Sequence, residues 1–494
     1  MGETVLVQQG YVRGGEENGV LAFKGIPYAA APEGAQRFTA PAPAPSWDGV
    51  RDAIEYGPTA PSLPFEPPLD QLMEEPVIPG REYLNLNVWT PATDGGLRPV
   101  LVWIHGGAFA NGSGALSVYD GCRFARDGIV CVTLNYRLGA EGFLLIDGAP
   151  ANRGLLDQIA ALQWVRDNIA VFGGDPEAVT IAGQSAGGMS VMTLLSMPAA
   201  DGLFKRAIAQ SGAGHHVLSA GTATKVTAAI VEELDIDGSL SGFASVTTAD
   251  LLAAQGVVSK RITATPDATA WGELATSPMP FQPVVDGHVV PGRPIDRLAG
   301  GAARDIDVLI GTNAREMALF LVPNGAIERI DDEELGAILT LLGAELDSVL
   351  PVYRQVQPDA SAGEILVSVM NDWFYRIPAV RVAESRLTHG ADTYLYEFSW
   401  PSTLFDKKLG ACHAIEIGFA FDQLKSPGSV RLTGATPPQD LADQMHSAWI
   451  SFVKSGDPGW APYHTDRTVR RFNQPGDTVA NPAATQRQVW DGIR

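Results

Sequence analysis

Cysteine is scarce in this chain, which has only Cys122, Cys131 and Cys412 among its 494 residues. An odd and sparse set provides no disulfide framework, and no C-x-x-C pair is present to bind a metal or act as a redox centre. Cys131 lies within an apolar run and is typical of a small buried hydrophobic residue. The cysteine content therefore favours a disulfide-free protein, and we expect a cytoplasmic location.

Positive charge is also in short supply. Lys and Arg number 35 against 56 Asp and Glu, and the resulting formal net charge of −21 is spread along the chain. Nucleic acids and anionic membranes both attract proteins through a positively charged face. The charge balance therefore argues against nucleic acid and membrane as partners.

Long apolar runs and cofactor motifs are missing as well. No run approaches the roughly 18 apolar residues that a membrane span needs. The N-terminal sequence Met-Gly-Glu-Thr-Val-Leu lacks the basic and apolar regions of a signal peptide. The sequence contains no GK[ST] phosphate loop and no HExxH metal motif. We therefore expect no membrane association, no metal and no organic cofactor.

Apolar residues, by contrast, are plentiful: 45% of the chain is hydrophobic and 18% is charged, which suits a large core. Strand-like apolar runs alternate with helical patterns, and this alternation predicts a mostly parallel sheet with helices on both faces. Two early runs, at residues 4–8 and 20–24, are expected to pair as an antiparallel edge. The predicted core strands are residues 83–90, 99–105, 129–136, 179–182, 207–212, 308–311 and 393–398.

Three segments lack such strands and are predicted to be insertions over the sheet. They cover about residues 61–81, 217–276 and 320–370. The first is acidic and interrupted by prolines, which is typical of a surface loop over a cavity, and the other two have helical composition. Since no low-complexity linker or internal repeat is present, we expect residues 1–494 to form one domain with a helical cap.

A serine stands in the frame Gly183-x-Ser185-x-Gly187, between a predicted strand and a run of helix-compatible residues. Strand, sharp turn and helix form the setting in which a G-x-S-x-G serine acts as a nucleophile. The glycines are needed because the turn is too tight for side chains. The turn also directs the backbone N–H of Ala186 toward a developing oxyanion. The five residues 183–187 alone also fit a glycine-rich surface turn with an ordinary serine. Whether Ser185 is a nucleophile therefore depends on whether the sequence supplies a base and an acid for it.

A nucleophilic serine needs a base and an acid that orients the base. In α/β hydrolases the chain order is Ser, acid, His, with each residue after a strand. Of the later histidines, only His413 follows a late core strand in a glycine-containing loop and precedes an apolar run. Glu316 lies between them in sequence and follows the strand at 308–311. Asp305 and Asp307 are the alternative acids, but they precede that strand.

These motifs, with others in the same order, resemble the type B carboxylesterases, which include para-nitrobenzyl esterases, liver carboxylesterases and cholinesterases. The resemblance runs nearly end to end and implies an α/β-hydrolase fold and a serine esterase activity. Its matching segments are residues 23–29, 37–38, 86–91, 103–109, 135–139, 142–143, 154–158, 168–169, 172–176, 183–187, 283–287 and 456–458.

The resemblance also implies roles for single residues. Ser185 would be the nucleophile, Glu316 the acid of the triad and His413 the base. The backbone N–H groups of Gly107, Ala108 and Ala186 would form the oxyanion hole, and Gly106 would let the chain pass close to the substrate carbonyl. The family's second serine on the nucleophile helix corresponds to Ser190, which would support the acid by a hydrogen bond; an ordinary helix serine is the alternative.

Three departures from the family pattern carry information. Tyr83 replaces a family cysteine, so the disulfide of secreted members is missing. Gln184 stands before the nucleophile where cholinesterases and many others have Glu, which removes a negative charge from the pocket wall. The loop at 65–81 has no tryptophan of the kind that cholinesterases use to bind choline. A cholinesterase activity is therefore not expected.

The predicted function is hydrolysis of neutral, moderately hydrophobic carboxylic esters through an acyl-enzyme, by a monomer or small homo-oligomer whose partner is a small-molecule ester. The same triad acting on amides or carbamates, or in acyl transfer, is an alternative that the sequence leaves open. A second alternative is a non-catalytic binding protein of the same fold, although such a protein would be expected to lack the serine or the histidine. His215 and His216 either line the pocket or face solvent.

Overall fold

A computed structural model of the chain describes residues 2–388 and 390–494; Met1 and His389 lie outside the described part. The strands are β1 (Thr4–Val7), β2 (Gly10–Arg13), β3 (Gly15–Glu17), β4 (Val20–Pro27), β5 (Val50–Asp52), β6 (Asn85–Thr90), β7 (Arg98–Ile104), β8 (Val130–Leu134), β9 (Gly174–Gln184), β10 (Arg206–Gln210), β11 (Leu218–Ser219), β12 (Val284–Val285), β13 (Asp307–Asn313), β14 (Thr393–Phe398), β15 (Thr468–Phe472) and β16 (Asp477–Ala480).

The helices connect and cover these strands. They are α1 (Leu69–Leu72), α2 (Cys122–Arg126), α3 (Gly139–Phe143), α4 (Arg153–Asn168), α5 (Ala186–Leu194), α6 (Ala220–Leu234), α7 (Leu240–Ser245), α8 (Thr248–Ala264), α9 (Ala268–Trp271), α10 (Pro294–Ala299), α11 (Ala318–Leu321), α12 (Ala326–Arg329), α13 (Asp332–Leu341), α14 (Leu346–Val356), α15 (Ala362–Asn371), α16 (Ile377–Ser385), α17 (Ile417–Ala420), α18 (Pro427–Thr433), α19 (Gln439–Ser455) and α20 (Ala484–Gln488).

Eleven strands form the central sheet, in the order β16-β15-β14-β13-β10-β9-β7-β8-β6-β4-β3. All neighbours from β15 to β8 are parallel, and the strands beyond them on both sides are antiparallel. Buried apolar residues of these strands face helices on both sides, as expected where crossover helices cover a parallel sheet. The structure thus confirms the predicted α/β-hydrolase architecture.

The pairing predicted for the two earliest strands is wrong. β1 pairs with β2 in a separate three-stranded sheet that also includes β5. β4 instead joins the central sheet beside β6, with β3 at the outer edge. Period-two patterning shows that each run is a strand, but it does not select the partner, which here is decided by long-range packing.

Parallel register brings the carboxyl ends of β9, β10 and β13 to one edge of the sheet. Gln184 lies opposite Gln210, and Gln210 lies opposite Gly311. The residues that follow these strands therefore meet outside their carboxyl ends, where open α/β sheets bind ligands.

The predicted insertions at 217–276 and 320–370 are largely helical: α6 to α9 fall in the first and most of α11 to α15 in the second. A π-helical turn, Asp372–Arg376, then joins α15 to α16. The segment at 61–81 is mostly irregular and holds the single-turn helix α1. None of the described helices has an apolar stretch long enough to span a bilayer.

Candidate active site

Ser185 occupies the sharp turn between β9 and α5. Its backbone has φ +56° and ψ −124°, a conformation that a residue with a side chain rarely adopts. Two hydrogen bonds hold it there: Ser185 N donates to Gln210 O (2.8 Å), and Met189 N donates to Ser185 O (2.8 Å). The strained turn is thus fixed by the neighbouring strand on one side and by the first turn of α5 on the other.

The two glycines of the serine motif are required by close backbone contacts. A Cβ on Gly187 would lie 2.0 Å from the carbonyl oxygen of Ile104, and one on Gly183 would lie 2.5 Å from the carbonyl carbon of Gly187. Neither position has room for a methyl group, because every obstructing atom belongs to the backbone. The tight turn expected from the sequence is present.

Glu316 and His413 meet beside this turn. The Nδ1 atom of His413 lies 2.7 Å from Glu316 Oε2, and Glu316 is fully buried. The other carboxylate oxygen, Oε1, accepts a hydrogen bond from the Asn313 backbone N–H (2.7 Å). The Glu316 N–H donates to Asn371 Oδ1 (2.6 Å). The carboxylate is therefore held in one orientation toward the imidazole.

The alternative acids lie at the other end of the same strand. Asp307 is the first residue of β13, and its carboxylate accepts a hydrogen bond from the Asp392 backbone N–H. Asp305 precedes the strand and forms an exposed ion pair with Arg304. The length of β13 separates both carboxylates from the edge where Ser185 lies.

The second ring nitrogen of His413 faces Gln184. His413 Nε2 and Gln184 Nε2 are 3.3 Å apart. Two aromatic rings confine the imidazole: Phe320, with a centroid distance of 5.6 Å, and Tyr375, at 5.1 Å. Tyr375 comes from the π-helical turn and Phe320 from α11, so the second helical insertion and its exit turn supply the packing around His413.

The loop after β7 bends sharply toward Ser185. Gly107 has φ +114°, followed by positive φ values at Ala108 (+53°) and Phe109 (+61°). A Cβ on Gly107 would lie 2.2 Å from Asn111 O, and one on Gly106 would lie 3.1 Å from Ser185 Cβ. Within residues 2–388 and 390–494, the N–H groups of Gly107, Ala108 and Ala186 donate to no protein acceptor. Three unpaired donors are thus contributed by two loops beside Ser185.

A cavity open to solvent connects these groups; its empty space, with the solvent at its mouth included, is about 940 Å³. Ser185, His413, Gln184 and the glycine loop form part of its wall. Most of the remaining wall is apolar and comes from the 61–81 segment, the loop after β7, α11 and the region after His413. The apolar lining includes Phe65, Leu69, Met73, Leu116, Val118, Leu319, Phe320, Ile415, Ile417 and Leu432. A cavity of this kind suits an uncharged organic ligand.

Ser190 does not make the contact expected of it. Its hydroxyl accepts a hydrogen bond from Gln158 Nε2 (3.1 Å), and among the described residues Glu316 accepts side-chain bonds only from Asn313 N–H and His413. The reason is the helix face: α5 turns Ser190 toward α4, which carries Gln158. Ser190 therefore links two helices rather than supporting the acid.

Three other histidines are packed away from the cavity. His105 stacks on Tyr136 with a centroid distance of 4.4 Å, and burial lowers its pKa to about 4, so it serves as a packing residue before the glycine loop. His216 lies against the Phe374 ring and pairs with the Phe374 carbonyl (3.0 Å). Burial lowers the pKa of both His215 and His216. Neither of these two lines the cavity, and His216 does not face solvent.

Glu416, three residues after His413 in the sequence, is a fully buried carboxylate. It accepts hydrogen bonds from Asn313 Nδ2 (2.6 Å) and Gln210 Nε2 (3.1 Å). No Lys or Arg of the described chain forms an ion pair with it. Burial, and then the charge of Glu316, raise the pKa of Glu416 to about 7. The sequence contains a signal for this contact. Asn313 and Gln210 are polar residues at the ends of neighbouring parallel strands, where they can donate to a buried carboxylate.

Replacing Glu416 with Gln is expected to change how stability depends on pH. The pKa of Glu416 rises from 4.5 to about 7 on folding, so the folded state binds more protons than the unfolded state between these values. The contribution of Glu416 to stability therefore falls as pH rises through this window, by up to about 1.4 kcal/mol per pH unit. The buried histidines, whose pKa values are lowered, contribute with the opposite sign below pH 6.5, so the slope due to Glu416 is read as the difference between parent and variant. Glu416→Gln removes this slope, and urea unfolding from pH 4.5 to 8 measures it.

The control for this experiment is Glu333→Gln, an exposed change on the first turn of α13. The amide of Glu416→Gln loses one acceptor for its neighbours, but that penalty is the same at every pH and leaves the slope interpretable. Parallel stability curves for parent and Glu416→Gln would show that Glu416 ionises in the folded protein as readily as in the unfolded chain.

Comparisons with known proteins identify the family of the chain. Residues 2–490 match the model of the carboxylesterase family. The chain is 37% identical to the para-nitrobenzyl esterase of Bacillus subtilis (strain 168), over 98% of each chain. It is 36% identical to the phenmedipham hydrolase of Pseudarthrobacter oxydans, over 90% of this chain and 88% of that protein.

Solved structures give the same result. A carboxylesterase from Geobacillus stearothermophilus superimposes with a TM-score of 0.86 at 35% identity, over 99% of each chain. A solved para-nitrobenzyl esterase superimposes with a TM-score of 0.82 at 34% identity, over 99% of this chain and all of that one. The chain therefore belongs to the carboxylesterase family, and its class of reaction is the hydrolysis of carboxylic esters.

Proposed function

We propose that this protein hydrolyses neutral, moderately hydrophobic carboxylic esters by double displacement on Ser185. The observation that carries the proposal is the convergence of three features at one end of an apolar cavity. These are a strained serine at the start of a helix, an imidazole 2.7 Å from a buried carboxylate, and backbone N–H groups without protein acceptors. Together they are the components that acyl transfer requires.

In the first half of the reaction, His413 Nε2 takes the proton from Ser185 as Oγ attacks the ester carbonyl. Glu316, which accepts from Nδ1, fixes the tautomer whose Nε2 carries a lone pair and stabilises the imidazolium that forms. The imidazolium then gives its proton to the departing alcohol oxygen as the C–O bond breaks. The acyl group remains on Ser185.

In the second half, water takes the place of the alcohol. His413 removes a proton from the water as it attacks the acyl carbonyl, and the returning proton restores Ser185 as the carboxylic acid leaves. The N–H groups of Gly107, Ala108 and Ala186 would hold the oxyanion in both tetrahedral intermediates. One such donor typically contributes about 2.7–4 kcal/mol to lowering the barrier.

The cavity supports the proposed substrate class. Its wall is mainly aliphatic and aromatic, and Gln184 places a neutral amide where a carboxylate would favour a cationic ligand. The printed names of the relatives include a para-nitrobenzyl esterase and a phenmedipham hydrolase. Aryl-containing esters are therefore reasonable first substrates for this chain. Amides and carbamates, as well as acyl transfer to another alcohol, remain alternatives that use the same residues.

A binding protein without activity is disfavoured by the site itself. Such a protein has no need for the strained Ser185 turn or for a carboxylate that orients His413. The proposed location is the cytoplasm, in keeping with three buried cysteines that form no disulfide.

The experiment that tests the proposal is an initial-rate assay on para-nitrophenyl acetate, butyrate and octanoate, with para-nitroacetanilide alongside. We expect turnover of the esters, with a chain-length optimum set by the apolar cavity, and much slower cleavage of the anilide. Absence of ester turnover by a folded protein would contradict the proposal, and faster cleavage of the anilide would favour the amide alternative.

A further inference from the structure

Gln184 is the last residue of β9, directly before the nucleophile, and its side chain is almost entirely buried. The side chain lines the cavity together with Ser185 and His413. Gly106 bounds it on one side, because a Cβ on Gly106 would lie 3.2 Å from Gln184 Oε1 and 2.7 Å from Gln184 O. The carboxamide therefore sits in a defined place between the glycine loop and the imidazole.

In the contact between Gln184 and His413, the positions of the protons determine which atom donates the hydrogen bond. The Nδ1–H of His413 donates to Glu316 Oε2, so the neutral ring presents a lone pair at Nε2. The Gln184 amide nitrogen, 3.3 Å away, carries only donors and can give a hydrogen bond to that lone pair. The imidazolium has a proton at Nε2 and cannot accept this bond, so the hydrogen bond is lost when the ring is protonated.

We infer that Gln184 is a positioning residue that occupies the Nε2 lone pair of His413 in the free enzyme and favours the neutral, active form of the base. The inference rests on the proposed role of His413. Gln184 thus does more than leave the pocket wall uncharged. Its amide donates to Nε2 and keeps the ring neutral, and it is displaced when the Ser185 hydroxyl becomes the donor.

The charged groups near His413 are few. Glu316 contacts Nδ1 directly, and Glu74 lines the same cavity. Glu416 shares the donor Asn313 with Glu316 and interacts electrostatically with both Glu316 and His413. Glu74 is bound to the Ser117 hydroxyl and backbone N–H. The remaining neighbours, Phe320 and Tyr375, are uncharged rings. The group at position 184 should therefore have a measurable influence on the pH at which His413 is protonated.

Two variants of nearly the same length test the inference through the acid limb of kcat/KM. Gln184→Met removes the donor, and one lost hydrogen bond of about 0.5–1.5 kcal/mol moves the limb to higher pH by about 0.4–1 unit. Gln184→Glu puts a carboxylate beside Nε2, which favours the imidazolium and moves the limb upward by about 1–3 units. The pH midpoint of the acid limb is therefore expected to be lowest in the parent, higher in Gln184→Met and highest in Gln184→Glu.

An acid limb that stays in place, or moves to lower pH, in Gln184→Met would overturn the inference even if Gln184→Glu shifts it, since a nearby charge acts without any hydrogen bond in the parent. Equal loss of activity at every pH would assign Gln184 a purely structural role. Labelling of each variant by a fluorophosphonate at pH 8 verifies that the site is assembled. A parent protein that is not labelled at all would refute the proposed function instead, so the two failures are distinguishable.

Discussion

Ser185→Ala is expected to lower kcat for ester hydrolysis by about 10⁶-fold, the effect that loss of the nucleophile has in a serine hydrolase. In the proposed mechanism the alanine removes the Oγ atom that carries the acyl group. What remains are the unpaired N–H groups of Gly107, Ala108 and Ala186 and the apolar cavity, which are expected to bind substrate without offering a covalent path. The measurement is single-turnover and steady-state kinetics with para-nitrophenyl butyrate.

The matched control is Ser190→Ala, a change of the same size one turn further along α5. Ser190 contacts Gln158 rather than the acid, so this variant is expected to keep catalysis within a few-fold of the parent. A Ser185→Ala protein with more than about one hundredth of parental kcat would mean that water attacks directly, and the acyl-enzyme mechanism would be wrong.

Glu316→Gln has the second largest expected effect, a fall in kcat of about 10⁴-fold, as when an amide replaces the acid of a triad. The carboxylate now accepts from both His413 Nδ1–H and the Asn313 N–H. An amide that still accepts from Asn313 turns its NH₂ group toward Nδ1. The ring then carries its proton on Nε2, where it cannot take one from Ser185.

Asp305→Asn is the control for a carboxylate-to-amide change away from the site, because Asp305 is exposed and lies at the opposite end of β13. It is expected to leave kcat unchanged. If Glu316→Gln kept near-parental activity, the orienting acid would have to be another group, and Glu416, which is buried behind Glu316, would be the residue to examine next.

Much of this site was predictable because its residues follow strands. Buried parallel strands appear as apolar runs, and their carboxyl ends meet at one edge, so the positions after 179–182 and 308–311 had to lie close together. Ser185, Glu316 and His413 were chosen on this basis together with the family resemblance, and the structure places the last two in contact.

The errors and omissions have physical causes of their own. Ser190 was given the wrong contact because the sequence does not show which neighbour a given face of α5 meets. The early strands at 4–8 and 20–24 were paired with each other because alternation identifies a strand without identifying its partner. Asn371 ends α15, and Tyr375 lies in the π-helical turn that follows, just after the second insertion. This turn has no clear pattern in the sequence.

For Gln184, the sequence indicates the type of side chain in the pocket, whereas the structure shows which atom that side chain contacts. The sequence revealed a missing charge at this position, and that observation supported a neutral substrate. Only the structure shows the amide nitrogen beside Nε2 of His413, and the contact, rather than the composition, suggests how the base is held before substrate arrives.

The most direct test of the central claim is to treat the parent and Ser185→Ala proteins with a fluorophosphonate and to locate the adduct by peptide mass spectrometry. The account predicts one adduct per parent chain, on the peptide that contains Ser185, with ester hydrolysis lost in proportion to labelling, and no adduct on Ser185→Ala. An adduct on another residue, or full ester hydrolysis after complete labelling of Ser185, would contradict it.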